Sequence, residues 1–200
     1  MTARKKVGIM GGAFDPIHTG HLLAAEAARD QYELEEVWFM PSHQPPHKAK
    51  AGVSGEQRLE MVKAAIQSNP AFQPLDIELR RGGISYTVDT MKQLLAEHPA
   101  YEFYFIIGAD MVNYLPKWEG IDELVQMITF IGLQRPGSML ELDSLPEFIQ
   151  DGVVLAEMPL VDISSSLIRS RLRQGKSIRY LVPDAVYDLM IRSGAYGIHP

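Results

Sequence analysis

Short apolar runs recur along this chain with helical stretches between them, and that alternation limits the available folds more than any other feature. Residues 6–10 read as a strand, residues 11–19 as a loop, and Leu22, Leu23, Ala25, Glu26, Ala28 and Arg29 have helical spacing. Residues 37–40 form a second expected strand, residues 41–53 a Pro- and His-rich loop, and residues 55–68 a helix. Residues 75–79 alternate as a strand does, Thr87–Glu97 reads as a helix, and residues 103–107 make an apolar strand ending at Gly108. A helix and strand over residues 122–133, a strand at Val153–Glu157, and helices over residues 164–173 and 183–192 complete the pattern. No internal repeat is visible. Strands this apolar, each followed by a helix, predict an α/β chain with a doubly wound, Rossmann-like, mainly parallel sheet, carried by a single domain over residues 1–200. Ligands of such sheets bind beyond the carboxyl ends of the strands, so the loops there are the places to search for chemistry.

Composition narrows the partners. With 46% hydrophobic and 22% charged residues, 200 residues are enough to bury one substantial core. The 19 Lys and Arg against 25 Asp and Glu give a formal charge of −6, which argues against a nucleic-acid polymer or an anionic membrane as partner. An anion site must therefore be local. Without cysteine there is no disulfide framework, thiolate zinc site or cysteine nucleophile, and a reducing compartment suits the chain. Arg4, Lys5 and Lys6 precede an apolar run far too short for a signal-peptide core, and no later stretch is long enough to span a bilayer. The expectation is a soluble, cytoplasmic protein.

Gly11-Gly12-Ala13-Phe14-Asp15-Pro16 follows the first strand and lets the backbone turn, leaving amides to face an anion near the next helix's positive end. It is neither GxxxxGK[ST] nor GxGxxG, and by itself a Gly pair after a strand is an ordinary turn. His18 and His21 follow, three positions apart, on one face if the helix begins there, with Gly20 leaving room between them. Paired imidazoles beside free amides suit phosphate oxygens and the charge that grows during phosphoryl chemistry. A metal pair or two capping histidines are the alternatives, but the glutamate of HExxH is missing and capping leaves the glycine loop unexplained.

The run from Gly11 to His21 resembles the signature of the HxGH nucleotidyltransferase superfamily. That resemblance implies ATP binding by Gly11, Gly12, Ala13 and Phe14, with His18 and His21 stabilising the ATP phosphates during attack on the α-phosphorus. Members commonly carry Thr or Ser where this chain has Ala13. Residues 162–169, Asp-Ile-Ser-Ser-Ser-Leu-Ile-Arg, open a helix with consecutive hydroxyls, which often only cap. They also resemble the superfamily's second signature, implying that Ser164, Ser165, Ser166 and Arg169 grip ATP phosphates.

Five further segments point to the acceptor. Pro41-Ser42-His43-Gln44-Pro45-Pro46-His47-Lys48 offers Lys48, a surface lysine on a bland reading, from a loop stiffened by prolines. Ser85-Tyr86-Thr87-Val88-Asp89-Thr90 supplies a capping hydroxyl and free amides at a helix start. Gly108-Ala109-Asp110-Met111 follows a strand, and Leu115-Pro116-Lys117-Trp118 offers an aromatic face, more often packing than binding when met alone. Gln134-Arg135-Pro136-Gly137 follows another strand. Together these are similar to the nicotinate mononucleotide adenylyltransferase family, over nearly the whole chain, including the closing Tyr180-Leu181-Val182-Pro183-Asp184 segment. The resemblance implies that Trp118 stacks on the pyridine, that Tyr86 and Thr87 face its carboxylate, and that Gly108 and Asp110 contact the nucleotide. It also puts Lys48, Lys117 and Arg135 near the substrate.

The expected reaction transfers AMP from ATP to nicotinate mononucleotide, giving nicotinate adenine dinucleotide and pyrophosphate in NAD biosynthesis. His18, His21, Lys48 and Arg169 would offset phosphate charge, with Mg²⁺ bridging ATP oxygens and no metal site built by the protein itself. Rival readings are transfer to nicotinamide mononucleotide or phosphopantetheine, or a nucleotide-binding sensor without catalysis. The oligomeric state stays open, with a homo-oligomer kept in view.

Overall fold

A computed structural model describes residues 4–45, 51–134 and 142–198. Strands β1 (Lys5–Gly12), β2 (Glu36–Pro41), β3 (Phe72–Pro74), β4 (Tyr101–Gly108), β5 (Thr129–Gln134) and β6 (Val153–Glu157) form, among these residues, one sheet. Its order is β3-β2-β1-β4-β5-β6, and every pairing is parallel. The chain winds from β1 outward to β3, then returns to the far side of β1 to start β4. That reversal opens a crevice between the ends of β1 and β4, which is the switch point where α/β sheets take their ligands.

The helices are α1 (Thr19–Gln31), α2 (Gly55–Ile66), α3 (Ile77–Arg81), α4 (Thr87–Glu97), α5 (Ala109–Val112), α6 (Ile121–Met127), α7 (Glu147–Gln150), α8 (Ser165–Arg173) and α9 (Asp184–Ser193). Successive strand residues face opposite sides of the sheet. Ile106 and Ile131 pack with Ala25, Val62, Ile168 and Val186 from α1, α2, α8 and α9. Their neighbours Phe105 and Phe130 enter the other core with Met91 and Leu94 of α4 and Leu124 of α6. Burial on both faces is why the strands read as continuous apolar runs rather than as alternating ones. Among the described residues no helix is long and apolar enough to cross a membrane.

Three local expectations are corrected. The strand expected at residues 75–79 is Phe72–Pro74, and helix α3 takes most of that segment. The alternation of Leu75, Ile77 and Leu79 was misleading because Glu78 is also buried, with its carboxylate accepting from the Thr90 hydroxyl at 2.8 Å. Gly11 and Gly12 do not make the turn. They are the last residues of β1, paired with Met40 and Pro41, and the positive φ falls instead on Phe14, at 47°. Ser85 does not cap α4, whose N-cap is Tyr86 without a side-chain bond. Its hydroxyl accepts from the His43 amide at 3.0 Å and so ties the loop after β2 to the start of α4.

Candidate active site

The site begins where β1 stops. A Cβ on Gly11 would lie 2.9 Å from the Phe105 ring, so the glycine lets that ring press against β1. Ahead of α1, His18 is the N-cap in extended backbone, and its amide donates to His21 Nδ1 at 3.2 Å. This bond leaves Nε2 as the protonated nitrogen of a neutral His21. The two imidazoles stack with centroids 3.6 Å apart and planes 23° from parallel. Gly20 has the role read from the sequence, since a Cβ there would come within 3.1 Å of His18 Nδ1. Phe14 packs its ring edge-on to His21 at 5.0 Å.

His18 is 6% exposed, and its Nδ1 has no hydrogen-bond partner among the described residues. Burial pushes its pKa down from 6.5 to about 4, so the ring is neutral near neutrality. A buried nitrogen without a partner beside a helix N-terminus is suited to a ligand's oxygen.

Helix α8 brings the second expected signature to the same loop. Ser164 caps it, its Oγ accepting from the Leu167 amide at 3.1 Å. The Ser165 hydroxyl donates to the Pro16 carbonyl at 2.9 Å, and Arg169 Nη1 donates to the Asp15 carbonyl at 2.7 Å. Arg169 Nη2 donates to Ser166 Oγ at 3.3 Å. The stretch from Ala13 to His21 and the α8 N-terminus therefore form one cluster, and Gly108 ends β4, the strand beside β1, with Asp110 in the first turn of α5.

Asp15 is the hub of that cluster, and sequence reasoning missed it. Its Oδ1 accepts from the Tyr196 hydroxyl at 2.6 Å and its Oδ2 from the Gly52 amide at 2.9 Å. Burial, then the bond to Asp15, push the Tyr196 phenol far above its ordinary range, so it stays a donor. Arg58 of α2 was missed as well. It is 2% exposed and donates to the carbonyls of Ala13 and Ser42. A signal existed, because Arg58 shares the helical spacing of Met61, Val62, Ala65 and Ile66, and a guanidinium in an apolar stripe needs a partner.

The residues expected to meet the acceptor lie on the sheet face that carries α4 and α6. Trp118 sets its ring perpendicular to Phe105 and Phe130, with both centroids at 5.9 Å, and remains half-buried. A Cβ on Gly120 would lie 2.9 Å from Val88, so the turn carrying Trp118 sits against the first turn of α4, where Tyr86 and Thr87 are. Lys117 reaches over the Tyr114 ring at 5.2 Å. Lys48 and Arg135 lie outside the described residues. Among the described residues no group of three or more His, Asp or Glu side chains converges to hold a metal ion.

A parallel sheet that reverses at β1 and β4, with buried imidazole, hydroxyls and arginine around the loop at that point, is the build of a nucleotide-binding α/β protein. Residues 9–171 match the cytidylyltransferase-like family. The chain is 46% identical over 193 residues to a probable nicotinate-nucleotide adenylyltransferase of Oceanobacillus iheyensis, covering 96% of this chain and 97% of that protein. It is 50% identical over 183 residues to one of Bacillus pumilus, covering 91% and 93%. A solved structure of Plasmodium falciparum nicotinic acid mononucleotide adenylyltransferase complexed with NaAD shares the fold, with a TM-score of 0.79, 22% identity, and coverage of 96% of this chain and 98% of that one. The chain belongs to the nicotinate-nucleotide adenylyltransferase family.

Proposed function

We propose that the chain catalyses adenylyl transfer from ATP to nicotinate mononucleotide, and that the residues gathered at the β1–β4 crevice carry it. The observation that supports this most directly is the meeting of the stacked His18–His21 pair with Ser165 and Arg169 on a single loop. A phosphate oxygen of the mononucleotide attacks the α-phosphorus of ATP, a new P–O bond forms, and the bond to the leaving pyrophosphate breaks. With a second phosphate pKa near ~6 the nucleophile is already ionised, so the protein needs no general base. Its work is to align the reactants and offset charge.

His18 and His21 donate to ATP phosphate oxygens, joined by the α8 hydroxyls and Arg169. Gly11, Gly12, Ala13 and Phe14 approach the phosphates with backbone only, and Gly108 and Asp110 contact the nucleotide. Trp118 offers its half-exposed ring to the pyridine, Tyr86 and Thr87 face the ring carboxylate, and Lys48, Lys117 and Arg135 balance the acceptor phosphate. Mg²⁺ brought with ATP would add charge neutralisation, which suits a site whose described residues offer arginine, imidazole and hydroxyl rather than clustered carboxylates. One domain suffices for both substrates, and ATP and a pyridine nucleotide are met in the cytoplasm.

Pyrophosphate release with ATP and Mg²⁺ tests the reading, using nicotinate mononucleotide, nicotinamide mononucleotide and phosphopantetheine as separate acceptors. Release with the first alone is expected. Preference for the amide or for phosphopantetheine overturns the acceptor, and ATP binding without release from any acceptor overturns catalysis.

A further inference from the structure

Arg58 holds a buried charge that the transfer reaction does not call on. Among the described residues it makes no ion pair, and its Nε has no partner. Its other two nitrogens are spent on main chain, with Nη1 2.6 Å from the Ala13 carbonyl and Nη2 2.8 Å from the Ser42 carbonyl. Those carbonyls belong to the loops that leave β1 and β2. A guanidinium is a rigid planar fork, so bonding both fixes the spacing of the two loops as well as their attachment to α2. Burial pulls the Arg58 pKa below its ordinary value, and the nearby Asp15 carboxylate opposes that shift.

The grip on Ala13 has a consequence one atom further along. The Ala13–Phe14 peptide is trans, and in a planar trans peptide the C=O and the following N–H point in opposite directions. With the carbonyl drawn in toward Arg58, the Phe14 N–H is turned outward, away from α2. Phe14 holds a φ of 47°, a region that bulky residues occupy at a cost, and its ring lies on His21. The strain, the buried cation and the neighbouring imidazole all concern this one peptide.

We propose that Arg58 is a positioning residue for ATP, acting through the Ala13–Phe14 peptide to aim the Phe14 N–H at a phosphate oxygen while it locks the loop after β1 to the loop after β2. This rests on the reading above that phosphates bind at this loop, but not on transfer taking place. Arg58 touches no substrate itself.

Arg58→Lys keeps the charge and loses the fork. Its affinity for ATP and for pyrophosphate should fall about tenfold or more, the loss expected from one mis-set hydrogen bond to a charged group, while adenosine affinity stays within about threefold. Calorimetry reads the first two and NMR line broadening the third. A simple loosening of the fold would weaken all three alike, and that result, or unchanged ATP affinity, overturns the proposal. The wild-type protein provides a second test that needs no variant to fold. The Phe14 amide proton should shift on titration with pyrophosphate, and an unmoved Phe14 resonance alongside shifts at His18 and His21 would sink the idea. If the wild type binds ATP but releases no pyrophosphate, the function fails and these binding measurements still decide the role of Arg58.

Discussion

A neutral, buried His18 would make the proposed phosphate binding a proton-coupled event. In the free protein its pKa of about 4 keeps the ring uncharged near neutrality, and an anion brought against Nδ1 favours the charged form. ATP binding near pH ~6 should therefore take up a proton, read as a dependence of calorimetric heat on buffer ionisation enthalpy, and His18→Asn should abolish that dependence. Stability follows the same imbalance. Between 6.5 and about 4 the unfolded chain holds a proton on this residue that the folded one lacks, so stability present above pH 6.5 is lost as pH falls toward 4. His18→Asn should flatten that part of the acid slope in urea denaturation followed across pH. Tyr196→Phe tests the hydroxyl that holds Asp15. It keeps the ring and removes the donor 2.6 Å from Asp15, so about 1–3 kcal/mol of stability should disappear, measured by urea titration. A loss within error would mean that Asp15 finds another donor.

The N-terminal turn of α8 separates two serines that look alike in sequence. Ser164 caps the helix, so Ser164→Ala should cost about 1 kcal/mol of stability, read from the denaturation midpoint. Ser166 is exposed, and its bond in the structure is the 3.3 Å contact from Arg169. Ser166→Ala should leave the midpoint unmoved and weaken ATP binding, so a variant that loses stability and keeps its affinity would reverse the assignment. Elements were legible in proportion to how apolar and how regular they are. β4 and α4 fall where the sequence puts them because a run of aromatics and Ile, or a helical stripe, leaves little choice. β3 did not, since three residues between Pro70 and Leu75 carry no period and the alternation just after them belongs to a helix that buries an acid. Arg58 stayed hidden for a related reason. The stripe was readable, but what a buried guanidinium binds is a pair of carbonyls that only the fold brings together.

At the scale of the whole fold, the segment beyond α9 returns to the loop after β1. Asp15 and Tyr196 are 181 positions apart, and the turn Ala195–Gly197 beyond α9 presents the phenol with Tyr196 itself at a φ of 59°. Ala195 is buried and Ile198 packs against the α1–α2 core, so this tail is part of that core rather than an appendage to it. No local pattern in one sequence announces such a contact, whereas the short motifs around His18 and Ser164 announce themselves. Removing residues 195–200 should therefore act at a distance. The sheet keeps its ladder of β1, β2 and β4, while Asp15 loses a partner and Gly52 loses the ring packed where its Cβ would be. Hydrogen exchange should accelerate at residues 13–15 and 51–53 and stay slow in β4, with ATP affinity reduced in step. Uniform acceleration across the sheet would show that the tail supports the entire fold. Unchanged exchange at the loop would show that Asp15 is held without it.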